Sequence, residues 1–121
     1  MDCGLNRQEK PLISVITVCF NAVESIERTI VSVLGQSYPS IEYIVVDGGS
    51  TDGTMDIVRK YADGIPAFVS EPDRGIYDAM NKGLGMAGGE WVIFLNSGDR
   101  FISPEAVSDM FRNHVDEDVA V

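Results

Sequence analysis

Ile41-Glu42-Tyr43-Ile44-Val45-Val46-Asp47-Gly48-Gly49-Ser50-Thr51-Asp52-Gly53-Thr54 shows the fold in miniature. A short apolar run stops at a carboxylate, turns on glycines and passes into residues suited to open a helix. A run of this length, rich in Ile and Val and closed by glycines, reads as a strand. The glycines let the backbone turn tightly after Asp47. A helix is expected from about Thr54 to Tyr61, capped by Asp52 and Thr54, with Met55, Val58 and Tyr61 on its buried face.

The same layout recurs on both sides. Upstream, Ile13 to Cys19 ends in Phe20-Asn21, and a helix follows from Val23 to Leu34. Asn21 is its expected N-cap, Ile26, Ile30, Val33 and Leu34 repeat at helical spacing, and Gly35 stops it. Downstream, Ala67 to Val69 ends in Ser70-Glu71-Pro72-Asp73, before a third helix over Ile76 to Met86. Trp91 to Leu95 ends in Asn96-Ser97-Gly98-Asp99. A fourth helix is expected to open at Ser103-Pro104-Glu105, with proline at the first helical position, and to carry Val107, Met110 and Phe111 on one side. Asp118 to Val121 reads as the start of a fifth strand, so the chain is expected to be a fragment of a longer protein. Residues 1–11 read as a tail closed by Pro11. Alternating strands and helices imply an α/β fold with a parallel sheet. The four polar tips then lie along one carboxyl edge, where open α/β sheets bind ligands. A row of carboxylates there points to a divalent metal and a phosphorylated ligand.

Bulk properties narrow the classes. At 121 residues the chain is one domain or part of one. Its 45% apolar and 23% charged residues are ordinary for a globular chain. The formal net charge of -10 argues against nucleic acid or an anionic membrane as the main partner, since both reward clustered Lys and Arg. It also requires that any bound phosphate be neutralised by a metal or by local basic residues. Cys3 and Cys19 are read as free thiols, Cys19 buried at the end of a strand. Met1 to Lys10 lacks the apolar core of a signal peptide. The apolar stretch around Ile13 to Phe20 is far too short to span a bilayer. A cytoplasmic protein is expected, with peripheral contact to a membrane or a lipid-linked partner left open.

Two glycine patterns are sorted by context. Gly83-Leu84-Gly85-Met86-Ala87-Gly88 matches G-x-G-x-x-G letter for letter, but follows a helix and precedes a strand, the reverse of a dinucleotide fingerprint. It is read as a helix-to-strand connection. The turn Cys19-Phe20-Asn21-Ala22 holds no glycine, and no G-x-x-x-x-G-K-[ST] occurs, so neither a nicotinamide or flavin dehydrogenase nor a P-loop protein is indicated. Asp47 suits a ligand hydrogen bond and a structural turn about equally. Asn96-Ser97-Gly98-Asp99 offers hard oxygen ligands for Mg²⁺ or Mn²⁺ beside a diphosphate, against an Asx-type turn as the plainer reading. Between Glu71 and Gly83, Arg74 or Lys82 suits phosphate, while Asp73 and Asp78 suit sugar hydroxyls or support of the basic groups. The plainer reading there is a solvated loop with local salt bridges. His114 stands alone and reads as a surface residue.

Taken together, Ile16-Thr17-Val18-Cys19-Phe20-Asn21, Val45 to Thr54, Asp73-Arg74-Gly75-Ile76-Tyr77-Asp78-Ala79-Met80-Asn81-Lys82-Gly83 and Phe94-Leu95-Asn96-Ser97-Gly98-Asp99 resemble the inverting glycosyltransferases of family 2, with their Rossmann-like GT-A fold. The resemblance covers about Ile13 to Val121. It implies that residues 12–121 form the donor-binding part of such an enzyme, with a mostly parallel sheet flanked by helices. It also implies that Thr17, Cys19, Phe20 and Asn21 line a nucleotide pocket, that Asp47 binds the base, usually uracil, and that Asp73 and Arg74 lie near nucleotide and sugar. Gly49, Ser50, Asp78, Asn81, Lys82, Asn96 and Ser97 complete the implied donor site, and Asp99 helps hold a divalent metal, Mg²⁺ or Mn²⁺. The implied partners are a nucleotide-diphosphate sugar, UDP-sugar favoured, and a saccharide or lipid-linked acceptor, in surface polysaccharide biosynthesis.

Two departures matter. Many relatives carry a run of aspartates where this chain has Asn96, Ser97 and Gly98, so metal dependence is expected to be looser. An inverting transferase needs a general base, and in relatives it lies beyond the point where this chain ends. The chain alone is therefore expected not to transfer sugar. A nucleotide-sugar sensor without chemistry is the alternative. A phospho-acceptor signalling domain fits poorly, because it wants adjacent acids where Phe20-Asn21 stand.

Overall fold

The computed structural model describes residues 11–110. The tail before Pro11 with Cys3, the sites of Phe111 and His114, and the expected fifth strand lie outside the described residues. Four strands form one sheet: β1 (Ile13–Cys19), β2 (Ile41–Asp47), β3 (Ala67–Ser70) and β4 (Trp91–Phe94), in the order β3-β2-β1-β4. Every pair is parallel, as the alternation of elements implies. Three α-helices connect them: α1 (Ile26–Leu34), α2 (Thr54–Lys60) and α3 (Ile76–Met86), with a 3₁₀ turn at Ala62–Gly64.

The helices sort by the handedness of parallel crossovers. From β1 to β2 to β3 the chain steps outward in one direction, and then α3 carries it back past β2 and β1 to β4. Right-handed crossovers made in opposite directions place their helices on opposite faces. Strand side chains alternate between those faces. Ile13, Val15, Tyr43 and Val45 pack with Ile26, Ile30 and Val33 of α1 and Met55 and Val58 of α2. Ile16, Val18, Ile44 and Val46 pack with Ala79 of α3 on the other side. This explains the unbroken apolar runs, since a strand covered on both faces has no polar side to show.

The register sets the tips. Cys19 stands opposite Asp47, and Asp47 opposite Ser70, so three polar residues form one row across the sheet end. The reversal of direction falls between β1 and β4. That makes the carboxyl end of this pair the topological switch point, where the two connecting loops diverge and leave a crevice.

Several boundaries differ from the sequence reading. α1 starts at Ile26 with Ser25 as N-cap, not at Val23. Asn21 is no cap: it sits in the left-handed region (φ 49°), and its Oδ1 accepts the Thr51 N–H at 2.9 Å. Its side chain is used across the sheet edge, which leaves the helix to start later. α2 begins after Gly53, and Asp52 assists from one residue further out, accepting the Thr54 N–H at 3.1 Å. α2 ends at Lys60, one residue short of the expected Tyr61, whose hydroxyl donates to Glu27 of α1. α3 runs through Gly83 and Gly85 to Met86, so the connection to β4 is shorter than the glycines suggested. Gly83 has a packing reason inside the helix, because α3 lies so close to β1 that a Cβ there would sit 2.5 Å from Ile16 Cγ2. β4 ends at Phe94, although the Leu95 N–H still donates to the Ile16 carbonyl at 2.9 Å. The last helical turns begin at residue 106, past a turn over Pro104 and Glu105, with Val107 buried.

Candidate functional site at the carboxyl edge

The loops after β1 and β2 are zipped together. The Asn21 N–H donates to Ser50 Oγ at 2.6 Å, Ala22 N–H to Thr54 Oγ1 at 2.8 Å, and Val23 N–H to Asp52 Oδ2 at 3.2 Å. The Thr54 hydroxyl bonded to Asp52 is the main reason that carboxyl lies below its usual range. Asp47 anchors this frame. Its Oδ2 accepts from Gly49 N–H (3.0 Å), Ser50 N–H (2.8 Å) and Ser70 Oγ (2.8 Å). Its Oδ1 accepts from Ser50 Oγ (2.6 Å) and Cys19 Sγ (3.3 Å). Gly49 reaches this geometry at φ 94°, which favours glycine. Asp47 is fully buried. Burial opposes its ionisation, and the hydrogen bonds from Ser50, Ser70 and Cys19 outweigh that, leaving its pKa below the usual carboxylate value. The same environment acts oppositely on Cys19: burial, and then the Asp47 charge, push its thiol well up, so it stays protonated and donates.

Beside this frame lies a cavity of about 360 Å³, lined by Val18, Cys19, Phe20, Asp73, Gly75, Ile76, Ala79, Asn96 and Ser97. It occupies the switch point between the tips of β1 and β4, with the N-terminus of α3 as its third wall. Its walls are largely apolar, and Phe20 and Ile76 are 60% and 48% exposed. The polar groups are few. Asp73 Oδ1 accepts the Gly75 N–H at 3.1 Å. Asn96 Oδ1 is buried with no hydrogen-bond partner, the one such side-chain atom among the described residues. A buried acceptor without a donor is costly, and it fits a site that is completed by a ligand. A larger hollow of about 430 Å³ between Arg28, Gln36 and Phe101 lies on the outer face of α1, away from the strand tips.

The other expected residues divide into framework and rim. Thr17 is buried and its hydroxyl pairs with Tyr43 Oη at 2.8 Å, so it faces the core and does not line the cavity. Asp78 Oδ2 accepts the Arg74 N–H at 2.9 Å, a bond that ties the entry of α3. Lys82 bridges Glu71 at 3.1 Å and donates to the Pro72 carbonyl at 3.1 Å, holding the β3–α3 loop down. Arg74 and Asn81 are exposed. The Ser97 N–H donates to the Val18 carbonyl at 3.1 Å, which places the β4 turn against β1. Asp99 is exposed, and its carbonyl accepts from Thr29 Oγ1 at 2.7 Å. Sequence reasoning placed the tip from Thr17 through Asn21, Val18 included, at the pocket, and missed Gly75, Ile76 and Ala79 as cavity walls. Their only signal was apolar spacing, which reads the same for core and for pocket.

As to a divalent ion, the available donors are hard oxygens, Asn96 Oδ1 and the Asp99 carboxylate, which suits Mg²⁺ or Mn²⁺. No group of three or more His, Cys, Asp or Glu suited to a metal exists among the described residues. These residues fit an ion that takes most of its ligands from a bound diphosphate and water.

An apolar cavity with a few convergent acceptors, at the switch point of a parallel sheet, is the form of a nucleotide-binding α/β domain. Comparison with known proteins makes this specific. The family described as Glycosyl transferase family 2 matches residues 14–121, and the chain belongs to that family. It is 46% identical over 95 residues to the Bacillus subtilis glycosyltransferase TuaG, named for teichuronic acid biosynthesis, covering 76% of this chain and 38% of that protein. Among solved structures it is similar to S. aureus TarS in complex with UDP-GlcNAc (TM-score 0.78, 30% identity, 87% of this chain and 31% of that one). It is also similar to the mannosyltransferase PcManGT of Pyrobaculum calidifontis in complex with GDP-Man and Mn²⁺ (TM-score 0.76, 31% identity, 89% and 32%). The fold is therefore that of the GT-A glycosyltransferases, and the chain spans well under half the length of these relatives.

Proposed function

We propose that this chain is the donor-binding part of an inverting glycosyltransferase, which takes a sugar from a nucleotide-diphosphate sugar to an acceptor hydroxyl in surface polysaccharide biosynthesis. The observation that carries the donor site is the orphaned Asn96 Oδ1 in a cavity at the switch point. Phe20, Ile76 and Val18 suit a flat base, and the N-terminus of α3, an eleven-residue helix, suits the charge of a diphosphate. TarS and PcManGT, bound to UDP-GlcNAc and GDP-Man, support a nucleotide-sugar donor. A uridine nucleotide is favoured, and the acceptor is a saccharide or lipid-linked glycan met at the cytoplasmic face of a membrane.

Asn96 and Asp99 are the residues that would hold Mg²⁺ or Mn²⁺. The ion, once bound, supplies electrostatic stabilisation of the charge that builds on the departing nucleoside diphosphate. The chain's own residues bind and orient. Asp47 fixes the loops, Phe20 and Ile76 cover the base, and Lys82 holds the β3–α3 loop in place. The matched relatives are much longer than the stretch this chain covers, and the general base is proposed to lie in such a further part, so that residues 1–121 alone are expected not to transfer sugar.

Calorimetric titration of UDP, GDP and CDP, with and without Mn²⁺, tests this reading. Saturable UDP binding that strengthens with Mn²⁺ and collapses in Asp99→Ala is expected. Failure of every nucleotide to bind the full-length protein would sink the donor reading. Sugar transfer by residues 1–121 alone would refute the division of labour.

A further inference from the structure

Two carboxylates, Asp47 and Asp73, meet at the tip of β2, and only one of them is available. Every oxygen of Asp47 is engaged, by five donors in all, inside the β2 tip. Asp73 lines the cavity, and its Oδ1 accepts from Gly75 N–H while its Oδ2 has no donor among the described residues. What seats Asp73 there is Gly48. A Cβ built on Gly48 would meet Asp73 Oδ2 at 2.9 Å, and its Cγ and Oδ1 at 3.4 Å. The carboxylate fills the space that a side chain at position 48 would take. The backbone behind it is pinned: Lys82 bridges Glu71 and the Pro72 carbonyl, and Gly49 lies directly against Pro72. A Cβ at position 48 meets only the far end of the Asp73 side chain, so it is accommodated by turning the carboxylate out of this seat while the backbone stays in place. Gly48 is not among the glycines with positive φ, so its backbone accepts alanine and the only conflict is with Asp73.

We infer that Asp73, not Asp47, is the carboxylate that accepts a hydrogen bond from the nucleotide base, and that Gly48 determines specificity by leaving room for it. This rests on the nucleotide-sugar reading above and names its base class. A carboxylate only accepts, so it selects a base edge that presents N–H. Uracil offers its ring N3–H, and guanine its N1–H and amino group. Cytosine carries N–H only on its exocyclic amino group and has an acceptor at N3, so a carboxylate opposite N3 meets a donor in uracil and an acceptor in cytosine. A site built to hydrogen-bond one ligand discriminates against a ligand that cannot pair with it.

The test is titration of UDP, GDP and CDP with Mn²⁺ into the full-length protein and into Gly48→Ala, Asp73→Ala and the double variant, with a urea unfolding curve for each. Wild type is expected to bind UDP or GDP at least about tenfold more tightly than CDP, the scale of one hydrogen bond to a charged group. Asp73→Ala is expected to lose that margin. Gly48→Ala is expected to lose much of it with its unfolding midpoint nearly unchanged, and the double variant to bind no more weakly than Asp73→Ala. Wild-type discrimination that survives in Asp73→Ala overturns the assignment and leaves the donor reading standing. Additive losses in the double variant overturn the role of Gly48. Absence of nucleotide binding by the wild type removes the donor reading and this inference together.

Discussion

At the tip of β2, Asp47 is buried and its oxygens accept from five donors. At the tip of β4, Asn96 keeps a buried oxygen with none, and Asp99 stays exposed. Both tips follow an apolar strand and both use short acidic or amide side chains, so composition does not separate them. The number of satisfied lone pairs does. A carboxylate whose acceptor sites are filled by its own protein gives shape to loops. An acceptor left open at a cavity keeps its hydrogen bond for something else.

Substitutions at the two tips put this contrast at risk to different degrees. Asp47→Ala is expected to destabilise the fold by about 3 kcal/mol, because buried donors left unpaired cost roughly 1–3 kcal/mol each and some regain water. Urea unfolding measures this. An unchanged midpoint combined with lost nucleotide binding would turn Asp47 into a ligand group and erase the contrast.

The acid limb gives the second check. The folded pKa of Asp47 lies below its ordinary value, so its stabilisation is fully present above the unfolded value of about 3.9 and fades as pH falls through the lower folded value. The gap in unfolding midpoint between wild type and Asp47→Asn should therefore narrow below about pH 4. A gap that stays constant down to pH 2 would mean that the five donors do not favour the ionised carboxylate.

Ser70→Ala removes one of the five donors and is expected to cost about 1 kcal/mol by urea unfolding. The smallest effect on stability belongs to the β4 turn. Asn96→Ala is expected to shift stability by no more than about 0.5 kcal/mol, since an unpaired group is lost along with a little packing. The same variant should weaken nucleotide binding several-fold in calorimetry. Large destabilisation by Asn96→Ala would mean that its oxygen is paired after all.

Much of the fold is legible in the sequence. The strands announce themselves as apolar runs because helices cover both faces of the sheet, and each run's polar end marks the carboxyl edge. The register is not legible. Nothing local says that Cys19 and Ser70 flank Asp47, because parallel strands are aligned by packing and not by a tight turn. The role of Asp47 stays open in the sequence for that reason: two of its five donors come from two other strands. Asn21 reads as a cap, yet its side chain bonds to Thr51, thirty residues away. Thr17 enters the site only through the family resemblance, and its hydroxyl is turned to Tyr43 in the core. The opening at Gly48 is hidden because a glycine in a turn already has a sufficient explanation, and only the seat of Asp73 supplies a second one.

The route of α3, which returns the chain to the far side of β1, also bears on how the protein is made. Synthesis delivers β1 first among the described strands and β4 last. β2 covers one edge of β1 early, while the other edge stays bare until Trp91–Phe94 has left the ribosome. A bare, apolar strand edge is a template for pairing with other chains. Nascent chains of which only the part up to Met86 has emerged would carry α1, α2 and α3 and still present this bare edge.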